Sequence, residues 1–186
     1  MIETILISLI FCKIKKLNIR ELFKSWTIYP ILIMEVICII LQINIFMKNY
    51  IFLKYVNILK VFYLCSYLPM IFSYNQYIAA ILGSVFVSLG GILNDIAIKA
   101  NNGYMPVFPS LSYITGYANL EAFEKIRDIH ILGNLNTKLK FLTDIFDIGY
   151  SILSLGDIFI RGFVFIVIYN TVKNLNQTND KVIKGD

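Results

Sequence analysis

Two groups of polar residues interrupt an otherwise apolar chain, and both hold carboxylates. Thr143-Asp144-Ile145-Phe146-Asp147 is followed by Ser154-Leu155-Gly156-Asp157, with Arg161 one helical turn beyond Asp157. Two carboxylates that share one site split their protonation states. Asp157 together with Asp144 or Asp95 could therefore supply the base that activates water and the acid that protonates a leaving group. The simpler reading is an i,i+4 ion pair of Asp157 with Arg161, because an acid early in an apolar span must be neutralised. The second group is Asn94-Asp95, followed by Asn101-Asn102-Gly103-Tyr104-Met105-Pro106-Val107. Gly103 permits positive φ, Pro106 pushes Met105 toward extended geometry, and asparagine side chains bond nearby backbone, which together describe a rigid turn capping a helix end. The same stretch could line a polar pocket that opens outward, with Asp95 its sharper candidate, since polar side chains near membrane depth turn toward the protein interior. The catalytic candidates are Asp144 and Asp157. The pocket candidates are Asn94, Asp95, Asn101, Asn102, Gly103, Met105, Pro106, His130 and Arg161.

His130 is the one histidine, and no second ligand type stands at metal-binding spacing, so no metal is expected. Cys12, Cys38 and Cys65 lie inside apolar runs without a C-x-x-C pair and read as packing residues. Neither a phosphate-binding glycine loop nor a G-x-S-x-G elbow occurs, and no cofactor is expected. Glu35 and Lys60 are charges within spans. Proximity to Pro30 for the first, and snorkelling for the second, place both at headgroup level.

The elements that must position these groups follow from composition. The chain has 186 residues, of which 58% are hydrophobic and 16% charged, with a mean hydropathy of +0.70. Soluble domains run at roughly 45–50% apolar and 25% charged. A soluble globular domain is excluded, and the fold class expected is all-α, a polytopic membrane helix bundle of four full spans plus a short N-terminal apolar helix. The net charge of +5 would suggest nucleic acid in a soluble chain. Here Lys and Arg flank apolar segments, so the partner is the lipid bilayer.

A single integral membrane domain is expected over residues 1–172, with spans at about 2–12, 29–47, 55–73, 76–98 and 152–172 and an outward loop at 99–150. Residues 173–186 form a polar cytoplasmic tail, expected to be disordered. Leu17 to Trp26 is basic and amphipathic and suits a headgroup region, and Pro69 is expected to kink the far end of its span. Ala79, Ala80, Gly83, Ser84, Ser88, Gly90 and Gly91 let neighbouring backbones approach closely, which makes 76–98 the expected centre of the bundle. Asn119 to Asp128 reads as a short interfacial helix, with Leu120, Phe123 and Ile126 set against charged residues. Lys13, Lys15, Lys16, Arg20 and Lys24 fall on the same side of the full spans as Lys173, Lys181 and Lys184, and the positive-inside rule makes that side cytoplasmic.

Leu93-Asn94, Ala100 to Val107, His130, Thr137, Leu142-Thr143-Asp144 and Ser154 to Asp157 resemble a family of uncharacterised small bacterial multi-pass membrane proteins with an Asn-Gly-x-Met-Pro-Val signature. That resemblance implies a plasma-membrane protein and no reaction. More remotely, Gly90-Gly91-Ile92-Leu93-Asn94, Leu142-Thr143-Asp144 and Ser154-Leu155-Gly156-Asp157 resemble segments of lipoprotein signal peptidase, which would make Asp144 and Asp157 catalytic acids. Ala97 and Ile98 stand where that family has Asp-Arg, and Ser154 replaces its Asn. The function expected is therefore that of a membrane protein without an assigned reaction, with a polar mouth between the third full span and the last. The alternatives are an aspartyl hydrolase and a solute-binding, transport or accessory protein.

Overall fold

A computed structural model describes residues 1–118 and 129–184, with side chains described to residue 178. The interfacial helix expected over Asn119–Asp128 lies outside the described residues. Four helical segments are long and apolar enough to cross a membrane: Trp26–Phe46, Ile51–Ser73, Tyr77–Ala100 and Leu155–Thr178. Between 17% and 39% of each apolar window is buried inside the protein. Most of their Ile, Leu, Phe and Val side chains therefore need a nonaqueous surrounding, which a bilayer supplies and water does not. The chain is a multi-pass membrane protein.

The elements are α1 (Ile2–Ile14), α2 (Arg20–Lys24), α3 (Tyr29–Phe46), α4 (Val56–Cys65), α5 (Leu68–Ser73), α6 (Tyr77–Ala100), β1 (Met105–Val107), α7 (Leu111–Thr115), β2 (His130–Leu132), β3 (Phe146–Asp147), β4 (Ile152–Leu153) and α8 (Leu155–Lys184). Trp26–Ile28, Ile51–Tyr55 and Lys140–Leu142 add single 3-10 turns. The second full span is thus broken: Ser66 and Tyr67 separate α4 from α5, and Pro69 sits in the first turn of α5, where its missing N–H costs nothing. The interruption therefore falls just ahead of Pro69, near the far end of this span.

The residues form two compact units. One comprises 1–39, 54–85 and 161–186. Its core follows a helical stripe on α8, where Val164, Val167, Ile168, Thr171 and Val172 are fully buried at i, i+3, i+4, i+7 and i+8 spacing. The polar run after residue 172 is not a separate disordered tail, because α8 continues to Lys184 and Asn176 exchanges hydrogen bonds with the backbone of Asn18 at 2.8 and 3.1 Å. Of the four membrane segments, that of α8 is the most enclosed, at 39%, and that of α6 is buried only to 17%. The small residues of α6 do not make it the centre; they serve local crossings, such as Gly83 against Phe163.

The same unit buries Glu35. It is 5% exposed and accepts a 2.5 Å hydrogen bond from the Tyr63 hydroxyl, which lies 3.0 Å from that of Tyr67. A buried carboxylate needs such partners, and the Met1 amino group stands 3.9 Å from its other oxygen. Arg161 donates to Glu3 at 2.7 Å.

The second unit comprises 40–53 and 86–160. Ala97, Met105 and Leu142 are its buried apolar centre, with Leu93, Ile98 and Leu155 packed around them. Short strands, which the helical periodicity does not anticipate, tie its connections: β1 pairs parallel with β2, Met105 against His130, and β3 pairs antiparallel with β4.

Candidate functional site

The C-terminal half of α6 positions three sets of polar groups, all in the second unit. The first is the helix end itself. Asn102 adopts left-handed backbone, with φ of 58°, and Gly103 follows at 88°. The Gly103 N–H reaches back to the Ile98 carbonyl at 2.9 Å, which is the Schellman closure of a helix C-terminus. The Asn101 amide donates to the Ala97 and Lys138 carbonyls, each at 2.9 Å, and its oxygen accepts the Lys138 N–H at 2.9 Å. Asn101 thus both caps α6 and clamps the 134–138 turn onto it.

The second set surrounds Asp157. The Asp157 N–H donates to Ser154 Oγ at 2.9 Å, while the Ser154 N–H donates to Asp157 Oδ2 at 3.2 Å. This is a reciprocal capping box at the start of α8. Asn94 closes it from α6: Ser154 Oγ donates to Asn94 Oδ1 at 2.7 Å, and Asn94 Nδ2 donates to Asp157 Oδ1 at 3.2 Å. The helices meet here through glycines. A Cβ on Gly156 would overlap the Asn94 amide oxygen and the Gly90 carbonyl, and one on Gly90 would overlap the Gly156 carbonyl. In place of the expected Asp157–Arg161 ion pair, Asp157 therefore caps its own helix and Arg161 pairs with Glu3. The reason is local: the third residue of a helix turns its carboxylate back toward the N-cap amide. Asp95, beside Asn94, is exposed.

The third set joins Asp144 to β1 and His130. The Asp144 N–H donates to the Pro106 carbonyl at 3.1 Å, and its own carbonyl accepts the Phe108 N–H at 2.9 Å. Its buried carboxylate stands 3.6 Å from His130 Nε2. Asp144 and Asp157 thus have different partners. Met105 is buried in the apolar centre. Pro106, lacking an N–H, sits in a strand that needs no donor from it.

Asp147 performs a separate task. Its carboxylate accepts from the Ser110 and Ser112 N–H groups at 2.6 and 2.8 Å, from the Ser112 hydroxyl at 2.6 Å and from the Gly149 N–H at 2.8 Å. Partial burial by itself would raise its pKa, but the bonds from Ser112, Ser110 and Gly149 outweigh burial and hold it below the usual carboxylate value. Burial, aided by Asp147, pushes the nearby Tyr117 phenol up to about 12. A carboxyl held low in the folded state adds stability above its unfolded pKa of about 4, and this is lost as pH falls through the folded value. Unfolding midpoints in detergent are expected to drop as pH falls below about 4, and less steeply for Asp147→Asn; parallel pH profiles would remove Asp147 from this role.

A cavity of about 190 Å³ lies against the first set, lined by Ala100, Asn101, Asn102, Pro106, Ile131, Leu132, Asn134, Asn136, Thr137 and Lys138. It gathers Asn101, Asn102 and Pro106 from the sequence candidates. Asn134, Asn136 and Lys138 were missed, although Gly133-Asn134 is a turn signal that would have brought them to a loop end. Of the Glu35–Tyr63–Tyr67 cluster only Glu35 stood out in the sequence, as a charge within a span; its partners are two tyrosines one turn apart.

No curated protein and no solved structure matches the chain. Residues 19–169 match a family of unknown function, DUF5317, and with most of its length aligned the chain belongs to that family.

Proposed function

We propose that the protein binds a small polar solute in the asparagine-lined cavity at the end of α6, with its C-terminus cytoplasmic and the 99–150 region outside. The cavity is the observation that carries this reading. Its lining combines amide groups, a threonine hydroxyl and one lysine, the few polar groups that fix a ligand's orientation in a small site. The distribution of Lys and Arg along the chain supports the orientation. An aspartyl hydrolase using Asp144 and Asp157 has weaker support. A dyad needs two carboxylates sharing a proton, whereas Asp157 accepts from Ser154 and Asn94 and Asp144 lies beside His130.

The test is a thermal-shift comparison of purified full-length protein in detergent with three probes: glucose, glycine betaine and inorganic phosphate. At least one is expected to raise the melting midpoint of the wild type and to lose that effect in Asn102→Gly/Asn136→Leu. Both residues line the cavity and are exposed, and glycine tolerates the left-handed backbone at position 102, so the variant should melt close to the wild type without probe. No shift with any probe, or a shift that survives the double substitution, overturns the reading.

A further inference from the structure

We infer that this cavity is a phosphate site, seated where the headgroup of an anionic phospholipid reaches it. The inference rests on the cavity being a binding site at all, and it adds the ligand's charge and its source.

Charge comes first. Among the described residues, Lys138 is the only ionisable one in the lining, and no carboxylate shares it. Both N–H groups and the oxygen of Asn101 are consumed by Ala97 and Lys138 backbone, so that residue shapes the wall. The Asn134 oxygen accepts the Asn136 N–H at 2.8 Å, and Thr137 Oγ1 accepts the Asn134 N–H at 3.0 Å. These bonds engage acceptors and leave the Asn134 amide nitrogen and the Thr137 hydroxyl hydrogen as donors, beside the amides of Asn102 and Asn136. A cavity with one cation and spare donors suits an oxyanion. Lys140, the neighbouring base, stands over the Phe108 ring, 4.1 Å from its centroid, which leaves Lys138 as the cavity's own cation.

Depth comes second. The 24 residues of α6 span about 36 Å, against a hydrocarbon core of about 30 Å. The end of α6 therefore emerges at headgroup level, and Asn101 clamps the 134–138 turn there. Around that turn, exposed Leu135, Leu139 and Phe141 alternate with Lys138 and Lys140. Apolar side chains interleaved with lysines match the boundary between acyl chains and anionic headgroups. The cavity is also smaller than the roughly 300–1,000 Å³ of sites for drug-sized ligands, which fits a phosphate and its ester arms.

The experiment is a titration of delipidated full-length protein in neutral detergent, followed by native mass spectrometry, with phosphatidylglycerol, phosphatidylcholine or inorganic phosphate. Phosphatidylglycerol is expected to bind at one saturable site, in preference to phosphatidylcholine, and about tenfold more weakly to Lys138→Gln. Lys48→Gln, on another connection, should bind as the wild type does. Lys138 is exposed, so its substitution leaves folding intact, which an unchanged melting midpoint verifies. Inorganic phosphate bound with the same Lys138 dependence, and no gain from the lipid, would support the phosphate site and overturn the lipid as its source. Equal retention of both lipids by wild type and Lys138→Gln would overturn the inference. A glucose or betaine shift that depends on Asn102 and Asn136, without phosphate or phosphatidylglycerol binding, would overturn it while leaving the solute-binding reading intact.

Discussion

Gly156→Ala is expected to destabilise the protein by about 3 kcal/mol, measured as the loss in unfolding free energy in detergent. The new methyl would overlap the Gly90 carbonyl, which is helix backbone and cannot swing aside, and would stand 2.7 Å from Asn94 Cγ. Relief requires the start of α8 to move off α6. Overpacking of this kind costs about 1–3 kcal/mol, and the displaced Asn94 amide would also lose the 2.7 Å bond from Ser154, worth about 1 kcal/mol more. Gly90→Ala attacks the same crossing from the other helix, with Ile160 Cγ1 at 2.7 Å, so the two costs should not add. Gly91→Ala is the control. A Cβ there meets nothing within 4 Å, and alanine's better helix propensity should leave stability unchanged or raise it by up to about 1 kcal/mol. Similar losses at Gly91 and Gly156 would mean that the glycines do not mark a close crossing.

The second large effect is expected at Arg161. Arg161→Met leaves Glu3 without the guanidinium that stands 2.7 Å away, in a site where the two side chains are 14% and 23% exposed. Breaking a buried pair costs about 3–5 kcal/mol and an exposed one at most about 1. This pair lies between those limits, and about 2 kcal/mol is expected. Glu3 keeps the Met1 amino group at 3.6 Å, so Glu3→Gln in the Arg161→Met background should recover only part of that loss, and a double-mutant cycle should return a coupling energy above the about 0.5 kcal/mol expected of independent sites. The corresponding cycle between Arg161 and Asp157 should return a value within that limit. Coupling to Asp157 instead of Glu3 would restore the i,i+4 ion pair and sink the assignment made here.

What could be read from the residues divides along a physical line. Apolar blocks of spanning length fixed α3 and α6 to within a residue or two, because a helix in lipid satisfies its own backbone and needs little else. The asparagine-glycine end of α6 was legible for a similar reason: left-handed backbone is tolerated by few residue types. The capping box at Ser154-x-x-Asp157 went unrecognised, because the same residues fit an ion pair and a hydrolase segment and spacing does not rank these. Contacts between segments distant in the chain were not legible. The pairing of Glu35 with Tyr63 depends on how α3 and α4 are rotated about their axes. Strands of two or three residues show no alternation to detect, and Met105, Pro106 and Val107 are all buried. The polar composition after residue 172 disguised a helix that tertiary contacts hold, among them Asn176 on Asn18.

The parallel register of β1 and β2 also constrains biosynthesis. Met105 pairs with His130, and Val107 then bridges to Asp144. Neither bond can form until the later partner has itself emerged from the ribosome, by which time the whole of α6 has emerged before it. The strand pairing therefore closes after α6 has been synthesised, and the capping box at Ser154 and Asp157 can lock onto Asn94 only once the last helix has begun to emerge.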